Sequence, residues 1–275
     1  MLTILTGLFT SLSYASSDLL SQHVTRATRA VTQVVWVLAT GVAIIVPIAL
    51  LVEGLPDRGE VRGAGLAALA GVVYFCALYC LLQGFRVGDL GLVSALTSLQ
   101  GAYVTAVVIA LGEPVTPFLI VALALCACGA VLTSFEGRAR STRGAPWALA
   151  AGALFAGVML CYAYGDIHWL TQTAISRTVS LAVALPVALL SGGAALPRRL
   201  RPRAVGAGVL ELGGLTLLTL TFALGPAAVA GVTTTQFGTF AVMLGFVVLH
   251  ERPKPNQWAG VVATIAGVSL LAAAT

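Results

Sequence analysis

The chain is a succession of apolar runs separated by breaks too short to fold on their own. Each run is roughly 18–23 residues, the length at which a helix rising 1.5 Å per residue crosses a hydrocarbon core of about 30 Å. Inside lipid a helix satisfies its own backbone hydrogen bonds, so the runs are expected to be helices. They fall near 3–22, 31–52, 64–84, 90–111, 115–134, 146–165, 169–191, 204–224, 227–249 and 256–274. The expected fold is therefore an all-α integral membrane protein of ten transmembrane helices. No break is long enough for a separate folded domain, which puts the function within the membrane.

Composition agrees with this reading. Of 275 residues, 59% are hydrophobic and 9% charged, whereas soluble domains carry about 25% charged residues. A membrane β-barrel would show short alternating segments, and none are present. The net charge of +5 comes from basic residues set singly or in short clusters between apolar runs. That is the pattern of membrane loops and not of a nucleic-acid surface. Cys76, Cys80, Cys126, Cys128 and Cys161 all lie inside apolar runs and are expected to be small buried hydrophobes, neither disulfides nor metal ligands. The opening MLTILTGLFT has no basic residue, so it reads as a first span and not as a cleaved signal. Small residues let helices approach closely; Gly206, Gly208, Gly213 and Gly214, and Gly260 with Gly267, are expected to mark tight packing.

The two halves of the sequence align at a shift of 138 residues. Leu82 meets Leu220, Thr97 meets Thr235, Glu113 meets Glu251, Pro117 meets Pro255 and Gly129 meets Gly267. Two five-helix repeats, 1–140 and 141–275, are expected. Because five is odd, the second half would enter the bilayer inverted, as in many transporters whose substrate lies between the halves. Loop charge bears on orientation. Loops after odd-numbered runs hold twelve of the Lys and Arg residues, those after even-numbered runs only Arg58 and Arg62, and Arg177 lies inside a run. This bias puts the odd loops in the cytoplasm and both termini outside.

With these features in view, the whole chain resembles the EamA-like ten-span members of the drug/metabolite transporter superfamily. The resemblance rests on Leu111-Gly112-Glu113 and its second copy Leu249-His250-Glu251, each before a glycine-containing final span. It also rests on YASSDLL in the first run, ISRTVSLAVAL around Arg177 and GVLELGG around Glu211. Two departures stand out: Gln100-Gly101 replaces a proline common in the fourth span, and His250 replaces a glycine. The resemblance implies a secondary transporter of the cell membrane without a cofactor. It also implies both termini in the cytoplasm, against the loop count. Substrates on this scaffold range over amino acids, sugars, nucleotide derivatives and drugs.

Ionisable residues inside spans are costly and mark function. Three are present, Asp18, Arg177 and Glu211. At 1.5 Å per residue, Asp18 lies roughly 8 Å and Glu211 about 4–5 Å from the midplane on one side, with Arg177 about 4–5 Å from it on the other. The acids are thus expected to share a vestibule and to be the proton-coupling groups, with Arg177 facing away. Arg177 suits an anion anchor because a guanidinium grips carboxylate or phosphate with two hydrogen bonds. Tyr14, Tyr74, Gln100 and Gln236, near the midpoints of their runs, complete the expected central cavity. Thr97 and Thr233-Thr234-Thr235 are weaker choices, since threonine can bond its own backbone. Glu113 and Glu251 suit helix capping at membrane boundaries, and Asp166, His168 and Trp169 an interfacial belt.

The function expected is a secondary transporter, an exporter of a small metabolite, amino acid or drug-like compound by alternating access, coupled to protons. Its partners would be that small molecule, the lipid bilayer and protons, with no nucleic acid, and it would act as a monomer or homodimer. A lipid flippase or scramblase and an accessory membrane subunit remain as alternatives. An enzyme is not expected, since His23, His168 and His250 fall at the ends of runs, away from any shared catalytic depth. Single cysteines placed in the 136–144 and 197–203 loops, in a background lacking the native five, should be protected from an impermeant thiol reagent added outside the cell. Labelling of both loops from outside would reverse the orientation.

Overall fold

The computed structural model describes residues 1–54, 58–88, 90–112, 116–134, 143–193, 195–248 and 254–274. Among them the regular structure is helical: α1 (Leu2–Ala27), α2 (Ala30–Val52), α3 (Val61–Val87), α4 (Leu90–Thr97), α5 (Gln100–Ala110), α6 (Pro117–Ser134), α7 (Ala145–Ala163), α8 (Trp169–Leu190), α9 (Arg201–Leu224), α10 (Ala227–Thr233), α11 (Phe237–Val248) and α12 (Pro255–Ala274). Pro146 and Pro202 sit in the first turns of α7 and α9, where a missing N–H costs nothing. Gly112 closes α5 with φ +92°, a left-handed conformation that favours glycine. This accounts for the glycine of Leu111-Gly112-Glu113; Glu113 and the copy Leu249-His250-Glu251 lie outside the described residues.

Five stretches are long and apolar enough to cross a membrane: Ala30–Val52, Val61–Val87, Ala145–Ala163, Trp169–Leu190 and Arg198–Leu224. Shorter apolar helices accompany them. The outer faces are correspondingly apolar, with Phe9, Leu69, Val121 and Ile265 exposed. A water-soluble protein would cover such surface, whereas lipid tolerates it. Of the cysteines only Cys126 is fully buried; Cys76 and Cys128 are exposed on helix faces, and all five are free thiols. The expectation of buried cysteines is corrected for these two, because an apolar run leaves open which face meets protein and which meets lipid.

α1 is not apolar enough to count among the five, and its packing explains why. It lies along α9, and its hydroxyls donate to carbonyls across the interface. Ser13 bonds Leu210 at 2.6 Å and Ser17 bonds Ala207 at 2.9 Å, while Ser11 bonds Thr233 on α10 at 3.0 Å. These three serines of α1 are thus turned toward protein and satisfied by it.

Two expected single runs, 90–111 and 227–249, are each interrupted. α4 gives way to α5 at Ser98-Leu99, and α10 to α11 at Thr234-Thr235-Gln236. At the second break the hydroxyls of Thr233, Thr234 and Thr235 bond the carbonyls of Val229, Ala230 and Val232 at 2.8–2.9 Å. Such back-bonding bends helices.

The 138-residue shift also relates the helices. It carries the bounds of α2 to 168–190, of α3 to 199–225, of α5 to 238–248 and of α6 to 255–272, close to those of α8, α9, α11 and α12. α2 and α8 cross antiparallel: Arg29 donates to the Ser191 carbonyl at one end, and Glu53 pairs with His168 at 3.0 Å at the other. α6 and α12 are antiparallel too, with Gly260 against Thr133 and Gly267 against Cys126.

Glycines sit where backbones touch. A Cβ on Gly208 would lie 2.7 Å from Thr40, and one on Gly214 2.8 Å from the Tyr14 ring. On α3, a Cβ at Gly71 would lie 2.5 Å from the Ser176 carbonyl oxygen, whereas Gly65 faces open space. Gly71→Ala should therefore destabilise the fold by about 1–3 kcal/mol, the usual cost of overpacking. Gly65→Ala on the same helix should be neutral or slightly stabilising. Thermal unfolding of the purified protein in one detergent compares the two; equal midpoints would disprove the packing role of Gly71.

Candidate functional site

The site is built around a buried ion pair. Arg177, from α8, has 0% of its surface exposed and is the largest fully buried side chain. Its Nη2 donates to Oε2 of Glu211 on α9. The other carboxylate oxygen, Oε1, accepts from the Tyr74 hydroxyl of α3. The guanidinium carbon also lies 5.0 Å from the centre of the Tyr74 ring, so one tyrosine touches both charges, through its hydroxyl and through its π face. Gly41 on α2 makes room for the arginine stem: a Cβ there would lie 3.1 Å from Cδ and Nε. Two guanidinium donors, Nε and Nη1, have no hydrogen-bond partner among the described residues.

The expected separation of Arg177 from the two acids is thereby corrected. Its position on the opposite side of the midplane from Glu211 placed the backbones only. α8 packs against α9, and arginine has a stem long enough to carry its charge away from its own backbone. In a desolvated interior two opposite charges gain far more by pairing than by pointing to separate faces.

Beside the pair lies a narrow cavity of about 50 Å³. That is room for a few waters, since one water needs roughly 10–15 Å³. Helices from both halves of the sequence form its wall. Tyr14 and Asp18, one turn apart on α1, share a face. Tyr74, Leu78 and Leu81 come from α3, Thr97 from the end of α4, and Gln100 from the start of α5. Phe155, Val158 and Met159 of α7, Glu211 and Leu218 of α9, and Phe237 of α11 complete it. Two of its residues, Thr97 and Gln100, flank the interruption between α4 and α5. The fold thus brings together five of the seven residues expected to line the cavity, Tyr14, Asp18, Tyr74, Gln100 and Glu211, along with the weaker choice Thr97.

It does not bring in the other two. Arg177 stands behind Tyr74 and Glu211, and not in the cavity wall. Gln236 is also fully buried but is spent on helix packing. Its amide donates to the carbonyls of Cys126 and Val232 at 3.3 and 2.9 Å, and its carbonyl oxygen accepts from Thr264 at 3.2 Å. A midspan glutamine avoids lipid in either role, so position alone could not separate them. Gln100 differs, since its Oε1 is buried without a hydrogen-bond partner among the described residues.

Two aromatic wall residues, Phe155 and Phe237, and the neighbouring Tyr162 escaped the sequence reading. Phe155 meets Tyr74 edge to face with ring centres 5.6 Å apart. Tyr162, buried on α7, shares a 2.6 Å hydrogen bond with Ser176 next to Arg177. An aromatic residue in an apolar helix has no distinguishing pattern, so no signal would have found them. Among the described residues no group of histidine, cysteine, aspartate and glutamate could hold a metal ion.

A buried ion pair, an acid and an amide with free hydrogen-bonding capacity among the described residues, and aromatic side chains thus meet around one cavity in an apolar helix bundle. A profile of the EamA-like transporter family matches residues 1–135 and again 142–273. The chain belongs to that family, a branch of the drug/metabolite transporter superfamily whose members are multi-pass membrane transporters and not enzymes. A solved crystal structure superposes with a TM-score of 0.78 over 99% of both chains at 16% identity, a likeness of fold. No curated protein sequence gives a significant match.

Removing one partner of the pair leaves a buried charge unmet. Arg177→Met and Glu211→Leu should each destabilise the protein by about 3–5 kcal/mol. The double variant should be less destabilised than the two single losses added together. A double-mutant cycle on thermal or denaturant unfolding checks this, and simple additivity would mean that the pair is not coupled.

Proposed function

We propose that the chain is a secondary transporter of the cell membrane, an exporter that moves a small amphipathic metabolite, amino acid or drug-like compound by alternating access through the cavity beside Arg177 and Glu211. The observation that carries the proposal is that cavity. It holds charged and polar groups in a helix bundle, its wall draws on both halves of the chain, and it is narrow, with room for only a few waters. A polar site between the two halves of a transporter is where alternating access would expose a substrate to each side in turn.

The membrane arrangement proposed with it has ten spans, with α4–α5 and α10–α11 each counting as one interrupted span. The spans divide into five-helix halves, 1–140 and 141–275, of inverted orientation. The helix bounds related by 138 residues, the antiparallel crossings of α2 with α8 and α6 with α12, and the twofold family match support this division. Inverted halves give two nearly equivalent conformations, one open to each side. The protein would act as a monomer or homodimer.

The substrate-facing residues proposed are Tyr14, Asp18, Tyr74, Gln100 and Glu211, with Arg177 holding Glu211 in place. Protons are the proposed coupling ion. Asp18 is the better placed carrier, because its half-buried carboxyl lines the cavity and has no hydrogen bond among the described residues. Glu211 is committed to Arg177 and Tyr74 and enters a proton path only when that pair opens.

Purified protein in proteoliposomes, offered a metabolite extract with and without an imposed pH gradient, tests the proposal by mass spectrometry of the lumen. Gradient-dependent movement of a solute is expected for the wild type. Asp18→Asn should lose the response to the gradient, since amide and carboxyl are alike in size but only one titrates. No protein-dependent flux of any solute would overturn the transporter reading, and a wild-type gradient response in Asp18→Asn would remove that residue from the proton path.

A further inference from the structure

We propose that the central cavity binds organic ammonium compounds, an amine or quaternary ammonium group carried on an apolar body. This rests on the cavity being the substrate site, as argued above, and names the chemistry of the ligand.

Three observations converge on a cation. The first is the charge balance of the site. Arg177 and Glu211 neutralise each other through their hydrogen bond, and the phenols of Tyr14 and Tyr74 are neutral side chains near pH 7. That leaves Asp18 as the one wall residue, among those described, that can bring a net charge, and the charge is negative.

The second is the character of the unmet hydrogen-bonding groups that reach the cavity. Gln100 is 4% exposed, lines the wall, and its Oε1 has no partner. The carboxylate of Asp18 likewise has none among the described residues. Both are acceptors, so they call for a ligand that donates. An unmet buried acceptor such as Gln100 Oε1 is costly, and a bound ammonium would relieve it. The unmet donors of Arg177 do not offset this. They lie on a side chain with 0% exposure, behind the Tyr74 ring and Glu211, and no ligand in the cavity reaches them while those two residues hold their places.

The third is the aromatic lining. Tyr14, Tyr74, Phe155 and Phe237 all face the cavity. Aromatic faces carry negative electrostatic potential and attract ammonium groups, most strongly where water is excluded. The rest of the wall, including Leu78, Leu81 and Leu218, is apolar and suits a hydrocarbon body. At about 50 Å³ the cavity admits only a few waters, so the ligand's body enters as the wall parts, with its cationic end between Asp18 and Gln100.

Equilibrium binding to the purified full-length protein in nanodiscs tests this independently of flux. Three probes share one skeleton: 4-phenylbutylamine, protonated at pH 7; 4-phenylbutanol, neutral; and 4-phenylbutyrate, anionic. The amine should bind at least tenfold more tightly than either of the others. Asp18→Asn should weaken amine binding by tenfold or more, the scale of a lost hydrogen bond to a charged group, and Gln100→Leu by a smaller factor. Asp18→Glu should restore much of the loss, which a merely misfolded Asp18→Asn would not predict. Asp166→Asn, at an exposed acid in the loop before α8, should bind as wild type. Tighter binding of the anion, equal binding of amine and alcohol, an unaffected Asp18→Asn, or no binding of any probe would each overturn the proposal. Amine that binds but never crosses the membrane would count against transport and leave this inference standing. Protein-dependent flux confined to anionic solutes would do the opposite.

Discussion

The hydrogen-bonded ion pair between Arg177 and Glu211 is the constraint around which the rest of the bundle is arranged. An arginine with no exposed surface in an apolar environment is among the costliest placements in a protein. Its cost is met only if an opposite charge and further polar groups converge on it. That requirement fixes α8 against α9, brings α3 in through the Tyr74 hydroxyl and ring, and demands a glycine at position 41 of α2 to admit the side chain. One charge thereby ties four helices together. The pair contributes registry more than net stability, because desolvating both partners consumes much of what their attraction gains.

The other polar groups divide by whether protein satisfies them. The serines of α1 are spent on carbonyls of α9 and α10, and Gln236 and Thr264 are spent on one another and on neighbouring backbone. These contacts hold helices together where the hydrophobic effect gives no preference for protein over lipid. Among the described residues a few groups are left unsatisfied: the Oε1 atoms of Gln33 and Gln100, two donors of Arg177, and the carboxyl of Asp18. Of these, Asp18 and Gln100 lie on the same cavity, in an interior where nearly every polar group is paired. The interruption between α4 and α5 falls next to Gln100, at the same cavity.

Much of the secondary structure was legible in the sequence. The expected runs 31–52 and 169–191 correspond to α2 (Ala30–Val52) and α8 (Trp169–Leu190), and 115–134 to α6 (Pro117–Ser134). Apolar length sets where a membrane helix begins and ends, and length is a property of sequence alone. The 138-residue repeat was legible for the same reason, as was the short roll of polar residues within the runs. The interruptions near residues 98 and 234 were not, because threonine and glycine occur in continuous membrane helices too, and a break depends on what the neighbouring helices offer.

The sequence by itself determined the class of protein, the helices and which polar residues had to be hidden from lipid, because those follow from hydrocarbon thickness and the cost of burying polarity. Tertiary structure alone decided the pairings. Gln100 and Gln236 are the same residue type at similar depth, yet one faces a cavity and the other locks a helix junction. Arg177 was placed by its position on the side of the midplane opposite Glu211, yet its stem carries the charge across to that carboxylate. Asp18 and Glu211 read alike as buried acids, but one is paired twice and the other stands free. In each case rotation about a helix axis and the reach of a side chain chose the partner, and neither is encoded in position along the chain.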